Sequence, residues 1–195
     1  MYIDIALLIN REVQNTVRKL TLNLYLEYCL DLVATLLPQH VSLKSAFQVD
    51  KIEDIESYFD TFAQRIEPFA FELQNIELIN FEKEGSMREV IWMNIAQNDY
   101  LMKLHTQINK DLTELGIPLS PFDGDAFNFH STLFYRASDK VSLEVYEKAF
   151  LEIKEKNLSL ICKPREIALF CSPTNQKNLF ESSFIYKVLP IGFLK

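Results

Sequence analysis

The chain is poor in the residues that mark several large enzyme classes. Four glycines occur in 195 residues, at 85, 116, 124 and 192. No G-x-G-x-x-G and no Walker loop can be built from them, so the usual glycine cradles for dinucleotides and ATP are missing. That weighs against ATP-driven chemistry. No G-x-S-x-G elbow marks a serine hydrolase. The three cysteines, Cys29, Cys162 and Cys171, are scattered and odd in number. Without a C-x-x-C spacing they predict neither a disulfide framework nor a zinc site, and they read as buried thiols in a reducing compartment. No long apolar run is present. The most apolar stretch, residues 20–37, is broken by Asn23, Glu27 and Asp31, so it reads as a buried helix and not as a membrane span. The chain opens on a strand-like run without the features of a signal peptide, which predicts a cytoplasmic protein. A basic excess is also lacking. The net charge is -7, which argues against a grip on a long nucleic-acid tract. One phosphate, a nucleotide or an RNA end would need only a few local groups. Hydrophobic content of 48% and charged content of 24% fit one soluble domain.

What is present is a weak internal duplication. Residues 2–9 alternate as a strand, with Ile3, Ile5 and Leu7 on one side, and end at Asn10. A helical region to about Leu37 follows, and then a strand from His40 to about Val49. Asp50-Lys51-Ile52-Glu53 has the form of a capping box. It opens a helix with an Ile52, Ile55, Phe59, Phe62, Ile66 stripe. Another strand covers about 69–81. The second half repeats the order. A strand over 90–95 carries Asn94 near its end, and a helix over about 98–115 is stopped by Gly116-Ile117-Pro118. A turn at 121–125 leads to a strand at His130, a helix through Val145, Ala149, Phe150 and Ile153, and a strand near 165–171. The pattern predicts an α+β fold of two pseudo-symmetric lobes. The lobes would be built from two halves, about 1–83 and 88–171, with a C-terminal strand segment in 178–194.

The chemistry concentrates in two segments, His40-Val41-Ser42-Leu43 and His130-Ser131-Thr132-Leu133. Only three histidines occur, and two share this pattern at matching places in the two halves. On a strand, residues i and i+2 share a face, so His40 sits with Ser42 and His130 with Thr132. Brought together, two imidazoles and two hydroxyls would surround one small anion. With an unperturbed pKa of about 6.5, one imidazole can be neutral and the other protonated near neutral pH. The pair could then act as base and acid on one phosphorus without a metal, and the hydroxyls could donate to its non-bridging oxygens. Continuing the alternation puts Lys44 on the His40 face, and Asn128, Phe134 and Arg136 on the His130 face. Lys44 and Arg136 are thereby expected to neutralise phosphate and Phe134 to stack on a base. Val41, Leu43, Ser131, Leu133 and Tyr135 are expected to face packing helices. His105 reads as a border residue of a helix's packed face, and no ligand spacing joins it to the other histidines as a metal site.

The segments Pro38-Gln39-His40-Val41-Ser42-Leu43-Lys44 and Phe129-His130-Ser131-Thr132-Leu133, with the duplicated layout, resemble the two-histidine (2H) phosphoesterase superfamily. That superfamily includes the bacterial 2′-5′ RNA ligase-like proteins and cyclic nucleotide phosphodiesterases. Ser42 stands where the family usually has threonine. Phe134-Tyr135-Arg136 puts the arginine one place later than is common there. The resemblance implies two similar lobes, each an antiparallel-rich sheet with outer helices, facing each other across a central cleft, with His40, Ser42, His130 and Thr132 as the catalytic set. It further implies hydrolysis of a cyclic, 2′,3′-type or RNA-terminal phosphodiester, with no cofactor. The residues leave two rivals in place: a module that binds a nucleotide or RNA end without turning it over, and a structural protein in which the motifs are coincidental. They do not say which histidine is the acid.

Overall fold

The computed structural model describes residues 1–83, 86–120, 123–124, 127–136, 140–173 and 182–192. Of the predicted turn at 121–125, Asp123 and Gly124 are among them; 121, 122 and 125 lie outside, as do 178–181 and 193–194 of the C-terminal segment. The order is β1 (Tyr2–Leu8), α1 (Arg11–Tyr28), β2 (His40–Gln48), α2 (Glu53–Arg65), β3 (Phe71–Lys83), β4 (Ser86–Ile95), α3 (Asp99–Glu114), β5 (His130–Tyr135), α4 (Leu143–Glu155), β6 (Leu160–Cys162), β7 (Glu166–Ser172) and β8 (Phe184–Pro190). The fold is α+β, with two antiparallel four-stranded sheets ordered β2-β1-β7-β8 and β5-β4-β3-β6.

The expected lobes need one correction. Each half supplies its first two strands to its own sheet, but the third crosses over. β3, from the first half, pairs with β4, and β7, from the second, pairs with β1. The lobes are therefore not the segments 1–83 and 88–171. The exchange comes from the β3–β4 hairpin. β4 starts at Ser86 and runs antiparallel to β3 with full pairing from Ile76 to Lys83, which commits β3 to its chain neighbour. β6, which the pattern missed, is a three-residue edge on β3.

The helices form where the apolar stripes lie. α2 buries Ile55, Phe59 and Phe62, each contributing roughly 1.5–3 kcal/mol on leaving water. Its expected capping box is not formed: the helix begins at Glu53 after Ile52, with no side-chain cap. In α3, Asn98 does cap, accepting from the Leu101 amide at 3.0 Å. α1 ends earlier than the apolar run, because Cys29 turns left-handed at φ 55. One core joins both sheets and all four helices. Among the described residues, no helix is long and apolar enough to cross a membrane.

Candidate active site

The two histidine strands occupy corresponding edges, β2 of one sheet and β5 of the other, and these edges pack against each other. Their starts are matched. Leu8 of β1 pairs with His40, and Asn94 of β4 pairs with His130. The carbonyl just before each histidine accepts from the neighbouring strand, Gln39 O from Ile9 N at 3.1 Å and Phe129 O from Ile95 N at 3.2 Å. This register makes Leu8, and not Asn10, the counterpart of Asn94.

Both histidines, Ser42 and Thr132 line one cleft of about 620 Å³. Tyr2, Asp4, Leu37, Val90, Trp92, Asn128 and Phe170 share its wall. The imidazoles are held alike. His40 Nδ1 lies 2.8 Å from Pro38 O, and His130 Nδ1 lies 2.9 Å from Asn128 O. A carbonyl only accepts, so each Nδ1 carries the proton and donates it, leaving the Nε2 lone pair of each neutral ring for the cleft. An aromatic flanks each ring. Phe170 lies 4.7 Å from His40 between centroids, and Trp92 stacks on His130 at 4.0 Å and 28°. Burial lowers the pKa of both histidines from the ordinary value. The bonds to Pro38 O and Asn128 O oppose that shift, and His40 is lowered further by charge on His130.

The hydroxyls differ. Ser42 Oγ donates to Asp4 Oδ2 at 2.8 Å. Thr132 has no such partner among the described residues. Burial pushes the Asp4 carboxyl up to about 7, against the Ser42 hydrogen bond.

Three expected substrate contacts lie elsewhere, and the cause is the same in both strands. Ala6 pairs with Ser42 and Ile5 with Lys44, so Leu43 is an extra residue in β2. Trp92 pairs with Thr132 and Ile91 with Phe134, so Leu133 is an extra residue in β5. A bulge right after each H-x-[S/T] reverses the alternation. Lys44 is turned inward, 1% exposed, and pairs with the buried carboxylate of Asp123. Phe134 is fully buried in the core. Arg136, 9% exposed, follows the strand end and pairs with Glu89 through both its backbone amide and its guanidinium. None of the three lines the cleft, and among its described lining residues there is no lysine or arginine. Val41, Leu43, Ser131 and Leu133 are buried, as expected; Tyr135 is buried too, but beyond the bulge it lies opposite the cleft-wall residue Val90 and outside the core that takes Phe134. Ser131 donates across the lobes to Gln39 Oε1 at 2.8 Å.

His105 is deeper than expected, at 1% exposure. Its Nδ1 donates to Leu43 O at 2.7 Å, and its Nε2 accepts from Asn109 at 2.9 Å. It pins the bulge that follows Ser42. Among the described residues, no three His, Cys, Asp or Glu side chains form a metal-binding group. The sequence reading missed Asp4, Trp92 and Phe170. The signal was there for two of them. Alternation against buried Ile3 and Ile5 turns Asp4 to the other face of β1, and alternation against Ile91 and Met93 does the same for Trp92 in β4.

Solved structures share this architecture. TT0787 of Thermus thermophilus is 15% identical over 98% of this chain and 98% of its own, with a TM-score of 0.61. E. coli LigT complexed with 3′-AMP is 17% identical over 97% of each chain, with a TM-score of 0.59. A structure described as a phosphoesterase is 16% identical over 97% of this chain and 98% of its own, with a TM-score of 0.57. No curated protein matches the chain in sequence. The family model of the 2′-5′ RNA ligase superfamily, however, matches residues 10–171, a span that holds both histidine strands and the bulges behind them. By that match and by its fold, the chain belongs to the 2′-5′ RNA ligase superfamily of two-histidine phosphoesterases.

Proposed function

We propose that this protein is a metal-independent phosphoesterase that hydrolyses a cyclic, 2′,3′-type or RNA-terminal phosphodiester, with His40 and His130 as its acid–base pair. Membership of the superfamily supports a phosphoesterase or RNA-processing enzyme. The observation that carries the finer reading is the matched anchoring of the two rings. Each imidazole is anchored through Nδ1 to the carbonyl two residues back, and both rings line one cleft. One neutral ring takes the proton of the attacking water through Nε2. The other, protonated, gives its proton to the departing ribose oxygen as the P–O bond breaks. Ser42 and Thr132 are the hydroxyl donors for the non-bridging oxygens, where charge concentrates in the transition state.

Charge favours a diester. With Lys44 and Arg136 inside the protein, an imidazolium is the positive group in the described cleft wall. A diester brings one negative charge, which one imidazolium balances; a terminal monoester dianion is left in excess beside Asp4. The apolar wall of Leu37, Val90, Trp92 and Phe170 suits a nucleoside. E. coli LigT has been solved with 3′-AMP and with ATP, and their shared nucleoside part is what this apolar wall would take.

The test is incubation with 2′,3′-cyclic nucleotides in excess chelator, with the products separated. Ring opening to a single nucleoside monophosphate, unaffected by chelator, supports the reading. Binding without turnover would make the protein a nucleotide or RNA-end binder. Activity lost to chelator and restored by zinc or manganese would replace the mechanism with a metal-dependent one.

A further inference from the structure

The two hydroxyls that the proposed reaction uses are not equivalent, and the difference lies in β1. Ser42 and Thr132 hold matching places opposite Ala6 and Trp92. Two residues back along each partner strand, the cleft wall is Asp4 in one lobe and Val90 in the other. A second irregularity of β2 sets Ser45 and Ala46 opposite Asp4, and on its other side Asp4 pairs with Phe170. Asp4 thus sits in β1 between Phe170 of β7 and the Ser45–Ala46 bulge of β2. Its Oδ2 takes the Ser42 hydroxyl, and its Oδ1 is buried without a partner. The titratable side chains that share its wall are Tyr2 of β1, His40 of β2, Cys171 of β7 and, across the cleft, His130 of β5. None of them hydrogen-bonds to Asp4 among the described residues, and Lys44, opposite Ile5, is turned inward to Asp123.

We infer that Asp4 is a positioning residue that decides whether the Ser42 hydroxyl is available to the phosphate. As a carboxylate, Asp4 accepts the Ser42 proton, so that hydroxyl has none to offer a substrate. As a neutral acid, Asp4 donates its own proton to Ser42 Oγ, and the Ser42 O–H is free to turn to a non-bridging oxygen. The exchange takes up one proton and removes one negative charge from beside the phosphate. Asp4 is half-buried in the cleft wall, but its Oδ1 is buried and unpartnered, which favours the neutral form, and desolvation pushes this group up to about 7. Val90 leaves Thr132 under no such control. The device therefore adds a pH dependence of its own to that of the histidines, acting through one of the two hydroxyls.

This inference rests on the phosphoesterase reading, and its test separates the two. Wild type, Asp4→Asn, Ser42→Ala and the double variant would be compared in kcat/KM on a 2′,3′-cyclic nucleotide from pH 5.5 to 9. Asp4→Asn keeps the shape and can donate to Ser42 Oγ. Asp4→Val, which copies the other lobe, serves if the amide disturbs folding. The variant and wild-type curves should converge near pH 5.5. At pH 8 the variant should exceed wild type by about tenfold, the factor by which a group titrating near 7 has lost its proton. In the Ser42→Ala background the gain should shrink to less than about twofold, because residues acting as a unit are non-additive. Superimposable curves would overturn the inference. A gain that persists undiminished without Ser42 would also overturn it, since Asp4 would then act by charge alone. Sulfate affinity, followed by the His40 and His130 ring signals, gives a readout that needs no turnover, because sulfate keeps its charge over this range. If wild type does not open the cyclic substrate, the phosphoesterase reading fails, and the sulfate comparison still decides the role of Asp4 by the same pattern.

Discussion

Lys44 offers a sharp test of the site's boundary, because a reading by strand alternation and the folded structure assign it opposite jobs. In the structure its ammonium is 1% exposed and pairs with Asp123, whose side chain is fully buried. Asp123 Oδ2 also accepts from the Ser120 amide at 2.7 Å, while its Oδ1 is buried and unpartnered. Lys44→Met keeps most of the apolar stem and deletes the charge. It leaves a carboxylate buried with one backbone donor, and removing one partner of a buried pair costs about 3–5 kcal/mol. The double variant Lys44→Met/Asp123→Leu removes both charges and should recover most of that loss, since apolar replacements of buried pairs are often neutral or better. Urea unfolding at pH 7 reads the stability. KM for a cyclic nucleotide, measured well below the transition, should stay within about threefold of wild type in the double variant. A Lys44→Met protein of unchanged stability with KM raised tenfold or more would show that the ammonium reaches the substrate, and would refute the inward placement.

Four further outcomes follow from the same geometry. His105→Ala should destabilise by roughly 2–4 kcal/mol in urea, because it opens a buried cavity and strips Leu43 O of its donor; a stability loss below about 0.5 kcal/mol would remove its claim to pin the bulge. Thr132→Ala should lower kcat/KM by about tenfold or more through loss of one donor, and at high pH it should cost more than Ser42→Ala, whose hydroxyl is then held by Asp4. Because burial lowers both histidines, the folded state favours their neutral forms more than the unfolded chain does. The stability this brings is present above about pH 6.5 and lost as pH falls below it, so His40→Asn/His130→Asn should show a flatter decline in Tm from pH 7 to 5. Asp4 has the opposite sign. Raised from 3.8 to about 7, it favours the folded state at low pH and loses that advantage as pH rises through about 7, so Asp4→Asn should gain on the order of 2–4 kcal/mol over wild type at pH 8 and nothing at pH 3.5.

The central pair was legible because it depends on local chain properties alone. His40 with Ser42, and His130 with Thr132, need only the two-residue period of a strand. That period holds up to the hydroxyl in both cases. It fails at the next residue for a non-local reason. Leu43 and Leu133 are extra only relative to β1 and β4, and register against a partner strand is not written in either strand by itself. Lys44 and Phe134 were therefore placed on the wrong face by the same error, while Asn128, which precedes both the histidine and the bulge, was placed correctly in the cleft wall. The exchange of β3 and β7 between lobes was illegible for a related reason: the duplicated pattern gives the order of elements, but the pairing is decided by the β3–β4 hairpin. Asp4 was visible as the one charge within an apolar strand. Its link to Ser42 was not, because 38 residues separate them.

The most direct test of the account is the turnover of one 2′,3′-cyclic nucleotide by wild type, His40→Ala, His130→Ala and the double variant. Each single variant should lose on the order of a hundredfold or more in kcat/KM, as expected when a general acid or base is removed. The double variant should be little worse than the weaker single one, because the two rings act on one phosphorus as a unit. Full activity in either single variant, or losses that multiply in the double, would contradict a reaction run by these two histidines together.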